Sequence, residues 1–310
     1  MSYTLVIDGN NVASRAYHTP QGELRSRKGE PTGTILGTLN SLKGYLEKFQ
    51  EATRMVVVWD YGKSEERMKL YPGYKMNRDH TRDDRTPEEI LKFEEYLWQM
   101  NEIHKFLPAL GINSLKVKGW EADDLVYATA CLLQGKKTII SSDKDMLQLI
   151  NEEVSVFDLY KDLLVTPSNF EVKTKGISQK CYLGYRSLLG DDSDNIGGVP
   201  GIGEVTAKKL MDTYGHIDIM FKDKDKLMLK SRTAAIFKPE NLAIIGRNHK
   251  LMNLGYVNYD AIQEDILQMI TPVHEIRIQD IKDFFMHKEF VSILSNFTSW
   301  MTYFRLLGED

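Results

Sequence analysis

Cysteine is scarce. Only Cys131 and Cys181 occur among 310 residues, in different segments and with no His or Cys at metal-ligand spacing, so neither a disulfide framework nor a thiolate zinc site is supported. No apolar run approaches the roughly 18 residues that a membrane span requires, and no membrane partner is expected. The N-terminus enters an apolar strand pattern at once, without the basic flank and cleavage site of a signal peptide. A reducing cytoplasm is the expected home. There is no excess of positive charge either: 40 Lys and Arg stand against 44 Asp and Glu, a formal net charge of -4. Taken alone, that balance argues mildly against a polyanionic partner such as DNA. Carboxylates filled by divalent cations would offset it locally and leave basic residues elsewhere free for phosphates. No internal repeat or low-complexity segment stands out.

What is present is an α/β rhythm. Short apolar runs at 4–8, 54–60, 112–117, 137–141 and 154–157 alternate with stretches of helical spacing at 33–50, 87–107 and 122–134. Leu5-Val6-Ile7, Met55-Val56-Val57-Val58 and Thr138-Ile139-Ile140 are nearly continuous apolar runs, as a mostly parallel sheet buried on both faces requires. In the second helix Ile90, Phe93, Leu97, Met100, Ile103 and Leu107 recur on one face and read as core or groove lining. From about 168 the pattern turns helical, and a glycine-punctuated stretch at 197–203 precedes a helix over 204–214. The run 276–307 is amphipathic and is expected to pack back on the core. The organisation that follows is an α/β core over 1–167, a helical module over 168–257, and C-terminal helices over 258–310.

The informative feature is a set of carboxylates. Asp8, Asp60 and Asp143 each closely follow a predicted strand, where open α/β sheets place their ligand sites. Glu121-Ala122-Asp123-Asp124 opens a helix, Asp145 follows Asp143 by two, and Gly190-Asp191-Asp192-Ser193-Asp194-Asn195 adds a further group. Any one of these acids is explained by helix capping or by complementing a helix dipole. Jointly they exceed what caps need, and their mutual repulsion calls for cations. An all-oxygen site suits Mg2+ or Mn2+, and two such ions about 4 Å apart activate water and stabilise the leaving oxygen of a phosphodiester.

The sequence resembles the 5' nuclease domain of bacterial DNA polymerase I and its phage and eukaryotic flap endonuclease relatives. The resemblance is carried, in the family's order, by Ile7-Asp8-Gly9-Asn10-Asn11, Arg15-Ala16-Tyr17-His18, Tyr74-Lys75-Met76-Asn77-Arg78, Glu121-Ala122-Asp123-Asp124 and Ser142-Asp143-Lys144-Asp145. It continues through the Asp191 to Asn195 group and Gly198-Val199-Pro200-Gly201-Ile202-Gly203. It implies a PIN-like nuclease fold with a helical arch over 61–110 and a helix-hairpin-helix turn.

By this resemblance Asp8, Asp60, Glu121, Asp123 and Asp124 serve mainly a first metal, and Asp143, Asp145, Asp191 and Asp194 a second. Asp192 matches a variable position and is left out. Lys75 and Arg78 match a basic pair at the arch base that contacts the scissile phosphate, and Arg15 matches an arginine near the active site. Tyr74 is a candidate for stacking on a base at the same portal, with Arg82 and Arg85 as further DNA contacts. Read without the resemblance, 61–85 holds seven basic residues against five acidic ones, a balance that fits a solvated face equally well. Gly198, Gly201 and Gly203 would let the backbone approach a duplex phosphate, Lys208 and Lys209 would add contacts, and the turn would hold K+ as in relatives.

The expected activity is Mg2+-dependent hydrolysis of DNA at a 5' single-strand to duplex junction, leaving 5'-phosphate ends, by a chain taken by default as a monomer. Two other classes stay open: a junction binder of the same fold that does not cut, and a ribonuclease acting on RNA or an RNA-DNA hybrid. Ile278-Gln279-Asp280-Ile281-Lys282-Asp283-Phe284-Phe285 invites comparison with sliding-clamp-binding peptides, but its glutamine is one place out of register. Core packing is the preferred reading there.

Overall fold

The computed structural model describes residues 2–78, 84–222, 234–271 and 275–307. Strands β1 (Tyr3–Asp8), β2 (Arg54–Trp59), β3 (Asn113–Lys116), β4 (Lys136–Ile140), β5 (Val154–Asp158) and β6 (Leu163–Val165) form one sheet in the order β3-β2-β1-β4-β5-β6. The first five run parallel, with Ile7 opposite both Val57 and Ile140. β6 joins antiparallel to β5, a hairpin partner that the hydrophobic pattern did not announce.

Both faces of the sheet are covered, which is why its strands are apolar throughout. Leu5, Ile7, Met55, Val57 and Trp59 face one core with helices Gly9–Tyr17 and Gly33–Lys48. Val6, Val56, Val58 and Ile139 face the other core with helix Ala122–Leu132. The expected helical module shares that second core: Phe170, Tyr182, Leu188, Leu210, Met211 and Ile245 join the same cluster as Val6. Residues 258–310 divide between the faces. Ile266 and Ile270 of helix Gln263–Ile270 belong to the Val6 side, whereas Ile281, Phe285, Ile293, Trp300 and Phe304 fill the Ile7 side. Phe285 meets Trp300 edge-on at 5.1 Å between ring centroids, so the apolar stripe of the clamp-like segment is spent on the core.

Helix Pro87–Phe106 begins with a capping box in which Thr86 and Glu89 satisfy each other's backbone N–H groups, with Pro87 in the first turn. Its lower half packs as expected, Met100 and Ile103 being buried together with Leu107 in the turn that follows. Its upper half does not: Ile90 and Leu97 are 44% and 48% exposed.

Candidate active site

The chain lays β1, β2 and β3 outward in one direction and then returns across β1 to place β4 and β5 on the other side. The switch point therefore falls between β1 and β4, where open sheets leave a crevice at the carboxyl ends of their strands. Asp8 ends β1, Asp60 follows β2, and Asp143 stands three residues beyond β4. Asp8 caps helix Gly9–Tyr17 by accepting from the Asn11 N–H at 3.0 Å, and the Ser141 hydroxyl donates to its other oxygen at 3.0 Å. Asp60 accepts from the Ala122 N–H at 2.7 Å, while its own N–H donates to the Asn10 side chain at 2.9 Å. These bonds bring the helix start carrying Glu121, Asp123 and Asp124 up to the ends of β1 and β2.

The acids fall into two kinds. Asp8, Asp60, Asp123 and Asp143 form no ion pair among the described residues, and they repel one another. Burial pushes the Asp8 carboxyl up to about 7, with Asp60 and Asp143 adding to the rise. Burial also raises Asp123 well above the ordinary range, with Asp143, Asp8 and Asp60 contributing. The other five are held by cations. Arg67, itself buried, grips Asp124 with both terminal nitrogens at 2.8 and 2.7 Å, reaches Glu121 at 3.1 Å, and donates its Nε to the Leu251 carbonyl. The Lys75 ammonium meets Glu121 at 2.8 Å and lies 3.9 Å from Asp194. Arg78 donates to Asp194 at 2.6 Å, and Arg186 bridges Asp145 and Asp191. Burial alone would lower the Lys75 pKa, yet Glu121, Tyr74, Asp123 and Asp194 raise it well above its usual value.

The basic segment 73–78 is docked on an acidic hairpin whose arms pair Gly190 with Gly197 and Asp191 with Ile196. The Asn77 amide donates to the Asp192 carbonyl at 3.0 Å and the Asn195 amide to the Gly73 carbonyl at 2.6 Å. Lys75 and Asn195 both adopt left-handed backbone, φ 54° and 59°. That conformation is disfavoured for a residue with a Cβ and is held here by contacts from both sides.

Several expected contacts are placed differently. Tyr74 is only 3% exposed, its hydroxyl donates to Glu121 at 2.9 Å, and the Lys75 ammonium lies 4.9 Å from its ring centroid. It has no free face for a base, so the stacking expectation is corrected: Tyr74 is a buried prop of Glu121. Arg15 donates to the Leu159 carbonyl at 2.9 Å, beyond β5, rather than to any of these carboxylates. Arg85 lies over the Phe93 ring at 3.9 Å, and Arg82 lies outside the described residues. Lys208 donates to the Gly176 carbonyl at 2.7 Å and pairs with Asp212, while Lys209 is exposed. At the glycine turn, a Cβ on Gly198 would stand 2.1 Å from the Leu189 carbonyl, and Gly201 has φ +79°. Gly203 caps the following helix Glu204–Tyr214.

The sequence reading missed Arg67 and Arg186. Arg67 stood among residues counted only for their charge, and Arg186 lies in a helix where nothing local distinguishes a buried arginine from a surface one.

A parallel sheet with a row of carboxylates at its switch point, faced by lysine and arginine from an overlying segment, defines an acid-lined nuclease of the α/β type. Residues 3–180 match the family model described as 5'-3' exonuclease, N-terminal resolvase-like domain, and residues 177–256 match that of the 5'-3' exonuclease, C-terminal SAM fold. The chain belongs to the 5'-3' exonuclease family. It is 29% identical over 303 residues to a 5'-3' exonuclease of Buchnera aphidicola, covering 96% of each chain. It is 33% identical over 226 residues to the thermostable DNA polymerase I of Thermus aquaticus, covering 72% of this chain and 25% of that protein. In structure it is similar to the 5'-exonuclease of bacteriophage T5 solved with zinc, with a TM-score of 0.71, 23% identity, and 88% of this chain and 100% of that one covered. A bacteriophage T5 flap endonuclease solved with DNA and metal ions aligns with a TM-score of 0.70 at 22% identity, over 87% of this chain and 100% of that one. At such identities these likenesses concern the fold.

Proposed function

We propose that this nuclease hydrolyses DNA at 5' flaps and 5' ends, at or near the single-strand to duplex junction, using Mg2+ or Mn2+ held on the carboxylate row. The observation that carries the reading is the convergence of Asp8, Asp60, Asp123 and Asp143, four mutually repelling acids without ion-pair partners among the described residues, beneath Lys75 and Arg78.

The donor set fits a hard divalent ion. It is all oxygen, and its uncompensated charge stands at the strand ends. Among the described residues no group of three acidic, His or Cys side chains stands in position to hold an ion; the reading rests on the oxygen chemistry of the donors, because Mg2+ keeps several waters and shares substrate phosphates. Such ions, when bound, supply activation of the attacking water and neutralisation of phosphate charge. Asp8, Asp60 and Asp123 would hold the first, assisted by Glu121 and Asp124, with Asp143, Asp145, Asp191 and Asp194 around the second. Lys75 and Arg78 would orient the scissile phosphate and stabilise charge that grows on it in the transition state. The turn at 198–203, with Lys209 exposed beside it, would grip the duplex backbone without reading sequence. K+ at that turn is part of the same reading, checked by comparing duplex affinity in KCl and LiCl. The cytoplasm is the proposed compartment.

The test is cleavage of a 5'-labelled flap duplex by wild-type protein in Mg2+, by wild-type protein with chelator, and by Asp123→Asn. Metal-dependent release of a short labelled fragment by wild type alone is expected. Tight binding without cleavage in either Mg2+ or Mn2+ would leave a junction binder, and faster cutting of an RNA flap of identical sequence would move the assignment to a ribonuclease.

A further inference from the structure

The nine carboxylates are unevenly compensated, and the unevenness follows the fold. At the ends of β1 and β2, Asp8, Asp60 and Asp123 have no cation hydrogen-bonded to them among the described residues. On the far side, Asp145 and Asp191 share one guanidinium. Arg186 Nη2 and Nε lie 3.1 and 3.3 Å from one Asp145 oxygen, and the same Nη2 also donates to Asp191. The three side chains are 10%, 16% and 20% exposed, so the pairing is sheltered from water and its electrostatics are correspondingly strong.

Arg186 has few alternatives in this position. It sits on helix Gln179–Leu189, on the turn that also buries Tyr182, whose hydroxyl donates to the Lys144 carbonyl at 3.1 Å. The helix thereby fixes the segment bearing Asp145 while Arg186 binds its carboxylate. The fourth acid of this group, Asp194, is engaged by Arg78 and Lys75. Of the group, Asp143 alone forms no ion pair among the described residues, and it also faces Asp8 and Asp123.

We propose that Arg186 is a resident counter-cation that occupies the carboxylates of the second group in the DNA-free protein. A first divalent ion then binds readily at Asp8, Asp60 and Asp123, while a second is held weakly until substrate phosphate adds negative charge and draws the guanidinium or its acids apart. Arg186 is thus a positioning residue for metal loading. The inference rests on the proposed metal-dependent reading, and its predictions concern metal affinity in the absence of DNA.

The experiment is a Mn2+ titration of DNA-free protein, followed by the electron paramagnetic resonance signal of free Mn2+, with circular dichroism confirming the fold of each variant. Wild type should show one tight class of site and a much weaker second class. Arg186→Met should tighten the weak class roughly tenfold or more, because it leaves Asp145 and Asp191 uncompensated, and Arg186→Lys should fall between the two. An equal or weaker second class in folded Arg186→Met would overturn the proposal. Should Arg186→Met not fold, Asp191→Asn in the wild-type background decides. It leaves tight Mn2+ binding unchanged if Asp191 is occupied by Arg186, and a lost tight ion would overturn the proposal. Absence of any Mn2+ binding to wild type would instead remove the metal-dependent reading itself.

Discussion

The backbone N–H of Lys75 donates to the Asp194 carbonyl at 2.9 Å, and the ammonium of the same residue reaches Glu121 at 2.8 Å. One residue in left-handed backbone, φ 54°, thus joins the segment 73–78 both to the acidic hairpin and to the helix start that carries Asp123. A cation so fixed costs little reorganisation when charge develops on a nearby phosphate.

Lys75→Met keeps the backbone bond and removes the charge. Single-turnover cleavage of a flap duplex is expected to fall by roughly 100- to 1000-fold, the usual loss on deleting one transition-state contact, while the Kd for the same duplex changes little. An unchanged cleavage rate would make Lys75 a structural partner of Glu121 only.

Tyr74 separates a structural role from a DNA-binding one. Its hydroxyl bonds a buried carboxylate, and such bonds contribute about 1.5–3 kcal/mol. Tyr74→Phe is therefore expected to lower stability by about that amount in urea denaturation with no change in affinity for a single-stranded flap. Weaker flap binding at unchanged stability would restore the stacking role that its burial argues against.

The sheet was legible because parallel strands covered on both faces must be apolar along their length, as Leu5-Val6-Ile7 and Met55-Val56-Val57-Val58 are. The strand-end acids followed from that, since position at a strand terminus is local information. What escaped was the pairing of charges across the chain. Arg67 meets Asp124 from 57 residues away, and Arg186 meets Asp145 from 41. Nothing in either local sequence shows that these arginines are buried. Tyr74 was misjudged for a related reason: its neighbours Lys75 and Arg78 suggested a portal, whereas the ring turns inward beneath Glu121.

Protons and metal compete for the acid row. Burial sets Asp8 at about 7 and does the same for Asp145, against roughly 3.9 for an aspartate in the unfolded chain. Between roughly pH 4 and 7 the folded protein holds protons that the unfolded chain has released, so the stability of the metal-free protein falls as pH rises through that window. Metal-free protein should melt at a lower temperature at pH 8 than at pH 5.5, and Mg2+ should raise Tm more at pH 8. Equal Mg2+ stabilisation at both values would place the ion away from these carboxylates.

The glycine turn offers a test in which geometry and binding part company. A Cβ on Gly198 would collide with the Leu189 carbonyl, whereas a Cβ on Gly201 meets open space and is opposed only by its positive φ. Gly201→Ala should therefore fold, with a loss of about 1–2 kcal/mol from the left-handed backbone, and Gly198→Ala should lose more because backbone itself must move. If the turn presents its N–H groups to a duplex phosphate, Gly201→Ala weakens binding of duplex DNA but leaves binding of an isolated single strand unchanged. Lys209→Ala, on the exposed side of the next helix, should reduce the slope of log K against log salt by about 0.9, one phosphate contact's worth. Duplex affinity unaltered by both substitutions, measured by fluorescence anisotropy from 50 to 200 mM KCl, would show that the duplex is gripped elsewhere on the surface.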